Sequence, residues 1–576
     1  MNVSEKIGHV LCFKEVCLMK INKKILAGVL ALTVAAFGFA DDFDDWDDFG
    51  SDAGSDFGGF SSEPAVTIGG VVELNGRGYV EVSDSFYNGA SGEIEFADRP
   101  SFGELKVDAI PSAKLDVKYE GANSDFNMKL KFDKTSLGGK YSWDILDEFT
   151  ARVYMGNAQF EAGKMRVVWG KGDKIHVLDN FNANDYLDYI IPDYIDRRIA
   201  EPMFRGVYST NSNIKFEAIY TPMMTADRLA DSGVWQPKAT KKLTSAVEGI
   251  IIAPLLGAIA NPSATPAQFI GALMNASSFD ADSLYPDTNQ LKYGQYGARM
   301  TFTVGSVDLG FSYYYGHNKQ PSANLEAVVN GEAAKGMINI VAQLKKIDNP
   351  LIQSNLGLYG DAINTILGKY NTGLPELDYD MVQVFGFEAA GILFGRLNSR
   401  MEFAYNLTKD IAGDDPWVHN NSLAWVAGFD IDLPIHNVNF NIQNQGKYIL
   451  NNHKIGKEEF TPFATTKFAY TLIDSLLRYS YGDYDVDADG SGCYTNNKII
   501  VDITDSWNHE KIKLDVKGIW GIERGDVIVI PTLTFNFKDD WNLNLSGMYI
   551  WCNNENSEFD GWQRNSFVQV GVKYQF

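Results

Sequence analysis

Three groupings of side chains in this 576-residue sequence have types and spacing suited to chemistry. Asp485, Asp487 and Asp489, followed by Gly490, give D-x-D-x-D-G, a set of carboxylates at a turn that suits oxygen ligation of a calcium ion. Asn496 stands at the twelfth loop position where glutamate would complete the set, so a solvated acidic loop is the alternative. Cys493 and Cys552 would pair in an oxidising compartment or stay as thiols. The third grouping is dense in both signs of charge: Lys171, Asp173, Lys174, His176, Asp179, Asp185, Asp188, Asp193, Asp196, Arg197, Arg198 and Glu201, flanked by Arg166 and Arg205. Such a set either ties a segment down by salt bridges or, placed across an aqueous passage, makes a transverse field that sets ion selectivity. No catalytic arrangement accompanies these groups. The seven histidines are scattered, and the nucleophile elbow, the paired-histidine zinc motif and the phosphate-binding loop are absent. The expectation is a non-enzyme with no cofactor beyond the calcium candidate.

The elements that must position these residues are foreshadowed by composition. With 50 basic and 74 acidic residues the chain repels phosphate, which disfavours nucleic acid as a partner. Aromatic residues at 13% and long alternating segments argue against disorder over most of the length. Several apolar runs of about 20 residues would be needed for a polytopic helical membrane protein, and only one candidate exists. That run, 25–39, follows Lys20, Lys23 and Lys24 and closes on Gly38 and Ala40, the pattern of a secretory signal peptide over 1–40 with Met19 as its expected start. Residues 41–63 then hold nine acids and no Lys or Arg, with Phe43, Trp46 and Phe49 every third residue. Segment 41–64 reads as a periplasmic tail, either a solvated spacer or a docking or plugging segment.

From 65 to 576 the dominant signal has a period of two. Val568, Val570, Val572, Tyr574 and Phe576 oppose Gln569, Gly571, Lys573 and Gln575. Leu115, Val117 and Tyr119 oppose Lys114, Asp116 and Lys118, and Ile512, Leu514 and Val516 oppose Lys513, Asp515 and Lys517. About 20 such segments of about 10 residues match the length of membrane barrel strands. Tight turns are expected at Gly156-Asn157, Gly305-Ser306 and Lys538-Asp539-Asp540. Tyr313, Tyr314 and Tyr315, with Trp541 and Trp551, suit interfacial girdles. The expected fold is all-β, a transmembrane antiparallel barrel with an even strand number of about 16–20 and helical loop insertions. Counting back from a periplasmic C-terminus places 553–564 and 483–495 outside and 538–540 inside, and requires a tight turn near Ile473, Asp474 and Ser475. The insertions 222–291 and 317–378 fall outside, with helical spacing over 243–260, 266–275, 323–347 and 351–370.

Two resemblances follow from these residues. The final strand, ending Tyr574-Gln575-Phe576 after a signal peptide, resembles the assembly signature of Gram-negative outer-membrane barrels, which implies the barrel-assembly machinery as a partner through Phe576 and an integral place among outer-membrane lipids. The segment 149–189, with Trp169-Gly170-Lys171, Asp173, Asp179, Asn182 and Asp185, is similar to a porin-like family, Ala183 standing where that family carries proline. The resemblance implies a channel for passive uptake of small solutes, narrowed by the outside loop 170–202. A long-chain fatty-acid transporter-like barrel is the competing resemblance, through the apolar insertions and the N-terminal extension. A surface adhesin barrel is a third alternative.

Overall fold

The computed structural model describes residues 65–80, 85–88, 93–96, 106–238, 240–241, 285–324, 376–415, 417–454, 495–538, 540–552 and 557–576. The alternating segments form strands β1 (Ala65–Tyr79), β2 (Ser85–Asn88), β3 (Glu93–Phe96), β4 (Val107–Glu120), β5 (Ser124–Phe132), β6 (Leu146–Met155), β7 (Ala158–Met165), β8 (Glu201–Ser209), β9 (Ile214–Thr221), β10 (Gln295–Val304) and β11 (Val307–His317). They continue with β12 (Ser322–Asn324), β13 (Glu376–Asp378), β14 (Met381–Leu393), β15 (Leu397–Thr408), β16 (Ser422–Asp432), β17 (Asn439–Ile449), β18 (Thr495–Trp507), β19 (Ile512–Gly521), β20 (Val527–Lys538), β21 (Trp541–Trp551) and β22 (Phe567–Gln575).

Eighteen of them make one sheet. Each pairs antiparallel with its neighbours, running from β1 through β4–β11 and β14–β22. The last strand then returns to the first, with Val71 opposite Gln575 and Tyr79 opposite Phe567. A closed sheet has no unpaired edge, the one β-architecture that satisfies every backbone donor and acceptor inside lipid. The strand number lies within the range expected from the sequence. Among the described residues no helix is long and apolar enough to cross a membrane.

The two faces of the wall are chemically inverted relative to a soluble barrel. Val66, Ile68, Leu74, Phe204, Phe311, Val568 and Val570 are exposed on the outer face, whereas Arg77, Glu161, Glu217, Glu388 and Glu402 are buried inside. An apolar exterior around a polar interior is what lipid outside and water within select. Connections alternate in the same sense. One rim carries short turns, such as 156–157 and 305–306, where Gly156 (φ 61°) and Gly305 (φ 65°) take the left-handed geometry a two-residue hairpin requires. The other rim carries the long connections, including 166–200, 222–294, 318–380 and 450–494.

Two expectations change. Tyr314 is no girdle residue: it is inward and buried, its hydroxyl donating to Gln295 Oε1 at 2.6 Å, because in a strand it must face opposite to Tyr313 and Tyr315. The turn expected near Ile473 lies outside the described residues, and β17 pairs directly with β18. The helix expected from 323 cannot begin there, because Ala323 and Asn324 belong to β12, whose ladder with β13 closes the base of the 317–378 insertion. The rest of 323–347, and 243–260, 266–275 and 351–370, lie outside the described residues, as do 1–40 and the 41–64 tail.

Candidate functional site

The interior face carries an alternating ladder of charge. Arg152 on β6 meets Asp125 on β5 (3.3 Å) and Glu161 on β7 (2.7 Å). Arg205 on β8 meets Glu161 (3.1 Å) and Glu217 on β9 (2.7 Å), and Arg299 on β10 meets Glu217 (3.9 Å) and Glu388 on β14 (2.5 Å). Arg152 stands directly opposite Glu161, and Glu161 opposite Arg205, so strand register builds the ladder. Glu161, Glu217 and Glu388 are buried, and desolvated charges persist only where such partners compensate them. On β11, Gly310 leaves the space that the Glu388 side chain occupies.

Connection 166–200 folds into this ring. Asp188 accepts two hydrogen bonds from the Arg77 guanidinium on β1 (2.6 and 2.9 Å), and Asp196 lies 2.5 Å from Lys114 on β4. Trp169 Nε1 donates to Glu217 on β9 (3.1 Å), while Asp173 accepts from Asn441 on β17 (2.8 Å) and pairs with Arg400 on β15 (3.4 Å). Strands β1 and β15 stand on nearly opposite sides of the ring, and only a segment crossing the interior reaches both.

Apolar packing seats the loop on the wall. Val167, Trp169, Leu178 and Phe181 join Met203, Ile219, Tyr314, Val384, Ala404 and Ala424 in one buried cluster. Trp169 and Phe181 meet edge to face at 5.0 Å, and Phe181 meets Tyr314 likewise at 5.2 Å. Two wall glycines make the room: a Cβ on Gly297 would stand 2.5 Å from Phe181 and 2.7 Å from Trp169, and one on Gly386 would stand 2.6 Å from Leu178. At the neck, Asn182 Oδ1 accepts from Val167 N (2.9 Å), while its Nδ2 donates to Met165 O (3.0 Å) and Ile199 O (2.9 Å), tying the entering and leaving chain together. Glu402 on β15 accepts four hydrogen bonds from the segment 172–178.

The charged residues expected from sequence are thus gathered in one place, with divided duties. Arg166 is buried at the loop root against Asp147 (2.5 Å) and Glu148 (3.2 Å), and Arg205 sits in the ladder; neither presents a bare cation to the lumen. Asp179 and Arg198 form a buried pair at 2.9 Å, with the Tyr194 hydroxyl donating to Asp179 and the Arg198 guanidinium 5.6 Å from the Tyr194 ring. Asp185 reaches Arg228 at 3.4 Å, joining this loop to the next, and Arg197 lies 6.0 Å from the Tyr194 ring. Lys171 approaches Asp308 at 3.9 Å, and Lys174 is exposed with a left-handed backbone (φ 60°). Asp188 and Asp196 belong to the charged set of the loop, but sequence reasoning missed their wall partners Arg77 and Lys114, and also Glu217 and Glu402. A signal existed for the two glutamates: each is a lone acid at an inward position of an apolar strand, in KFEAIY and MEFAY.

Of the other two chemical groupings, Asp485, Asp487, Asp489 and Cys493 lie outside the described residues. Among the described residues Cys552 has no disulfide partner, and its thiol donates to Phe559 O at 3.2 Å. Among the described residues no cluster of His, Cys, Asp and Glu forms a metal site.

Solved structures similar to this chain include Wzi of Escherichia coli, described as a carbohydrate-binding β-barrel involved in group 1 capsule assembly. It shares 11% identity with a TM-score of 0.38, covering 88% of this chain and 84% of that one. Others are OccK3 of Pseudomonas aeruginosa (8% identity, TM-score 0.37, 88% and 95% coverage) and the outer-membrane channel DcaP of Acinetobacter baumannii (9%, 0.32, 89% and 97%). No curated protein matches the sequence. The family model described as "Protein of unknown function (DUF1302)" matches residues 119–430, more than half of the chain, and the protein belongs to that family.

Proposed function

We propose that the protein is an integral outer-membrane channel for passive passage of small polar solutes, narrowed by the loop that includes 170–202. The observation that carries this reading is the loop's position. It crosses a closed, charge-lined ring and sets acids against wall bases, Asp196 facing Lys114 and Asp188 facing Arg77. The Lys114–Asp196 pair is partly exposed on both sides (38% and 51%), so it borders the aqueous space rather than the loop's dry core. Fixed charges at such a margin act on passing ions at close range. The C-terminal strand, with Val568, Val570 and Val572 outward, suits recognition by the barrel-assembly machinery.

Planar-bilayer recording of the refolded protein tests the reading. Stable ohmic steps are expected, with the zero-current potential in a salt gradient moving toward cation preference in Lys114→Glu and toward anion preference in Asp196→Lys. A correctly folded barrel that never conducts would sink the proposal. Retention of an apolar ligand through purification would instead favour a transporter of hydrophobic molecules.

A further inference from the structure

The loop is held by apolar packing, by ion pairs and by one contact of a different kind. Glu402 projects inward from β15 with its side chain fully enclosed. Its Oε1 accepts from Gly172 N (2.6 Å) and lies 2.7 Å from His176 Nδ1. Its Oε2 accepts from Val177 N (2.8 Å) and Leu178 N (3.3 Å). Three backbone N–H groups and an imidazole therefore converge on one carboxylate, the arrangement of an anion-binding nest in which the anion belongs to the wall. The local sequence is shaped for it. Gly170 (φ 117°) and Gly172 leave the space the carboxylate fills, and a Cβ on either would meet its oxygens. Glu402 stands directly opposite Glu388, which is engaged by Arg299, and among the described residues the ion-pair partner of Glu402 is His176 of the loop, with no cation from the wall. What neutralises this buried charge is the loop.

We infer that Glu402 is the positioning residue that keeps the constricting loop inside the barrel. The loop closes around a charge that would otherwise be buried alone, and the wall in turn satisfies donors the loop cannot pair with itself. Neither partner is stable without the other, because a buried carboxylate and buried N–H groups each carry a large cost when unpartnered. The inference rests on the channel reading for its consequence, since a loop held at this point narrows the lumen only if the lumen conducts.

The test uses the refolded full-length barrel and two independent readouts. Trypsin cleavage at Lys171 and Lys174 reports whether the loop stays inside, and single-channel recording reports the width of the passage. In the wild-type protein both lysines are expected to resist trypsin. Glu402→Gln keeps the shape but turns an NH2 toward donors, and cleavage is expected to rise by at least about tenfold, the change in open population from losing a charge-assisted hydrogen bond. Conductance should rise and become noisier. Glu402→Asp, which keeps the charge, should recover most of the protection. Glu388→Gln, the opposite buried carboxylate that does not bond the loop, controls for a general effect of removing wall charge and should leave protection intact. Heat-modifiable mobility confirms that each variant is folded. Unchanged protection in folded Glu402→Gln, or equal loss in Glu388→Gln, overturns the inference. Loss of protection without change in conductance keeps the anchor and refutes the constriction.

Discussion

Asn182 does more for its size than any other side chain of the loop, because it joins three backbone groups from two chain segments that run in opposite directions. Its amide has both a donor and an acceptor end, which neither Asp nor Leu could reproduce. Asn182→Ala is expected to cost about 1–3 kcal/mol for each buried group left without a partner, read as a lower urea midpoint of the refolded barrel at unchanged strand content. Gly297 contributes by what it lacks. The edges of Trp169 and Phe181 sit against its backbone, and Gly297→Val should cost about 1–3 kcal/mol by overpacking, with loss of the fixed Trp169 environment in near-ultraviolet dichroism. An unaffected near-ultraviolet signal in that variant would show that the cluster tolerates the added volume. Trp169 and Gly170 were visible in the sequence as a motif, but their partners Glu217, Gly297 and Glu402 lie on strands remote in the chain, and nothing local marks those contacts.

Among the elements, the long connections are tied to one another by polar clips. Asp380, just before β14, accepts from the backbone N–H of His419 (3.0 Å) and lies 3.1 Å from its Nδ1, joining connection 318–380 to connection 409–421. Burial alone would raise the Asp380 pKa, but the hydrogen bonds and charge of His419 hold it below the ordinary carboxylate value. A depressed folded pKa means the clip stabilises above the unfolded value, about 3.9, and is lost as pH falls through the lower folded value. Protection of the amides over 409–421, taken relative to their intrinsic exchange rates, should therefore fall below about pH 4 in the wild-type protein. Asp380→Asn should exchange fast already at neutral pH and respond little to acid; a wild-type-like acid response in that variant would assign the effect to another group. The alternation of apolar and polar residues announced the strands and the two glycine turns well, because a period of two is local. Which strands neighbour each other across 450–494 was not legible, since a long connection imposes no distance on its ends.

For the whole molecule the decisive property is the inverted wall. Val570 is outward on β22, 47% exposed, between β21 and β1. Val570→Lys should destabilise the barrel in vesicles by about 2–4 kcal/mol if that position lies near the bilayer midplane. The measurement is urea unfolding from lipid vesicles set against detergent micelles. Equal cost in both media would indicate that this face does not meet the hydrocarbon core. Charges on the inner face of the described barrel are paired in the interior ladder and loop, so net charge by itself says little about which ions the lumen prefers.

What the amino-acid sequence determined alone was the class of fold. Periodicity, strand length and the lack of repeated apolar runs long enough to span a membrane are properties of neighbouring residues, and they pointed to an antiparallel barrel with an even strand number near the one observed. It also marked 166–205 as the place where charge concentrates. Only the tertiary structure decided what that charge does. Arg166, Asp179, Arg198 and Arg205 are spent on burial and anchoring, while Asp196 and Lys114 are partly exposed, because a desolvated charge persists only where the folded chain brings a partner within reach; the contacts of the loop with Arg400 and Glu402 join residues more than two hundred positions apart, which only ring closure brings together.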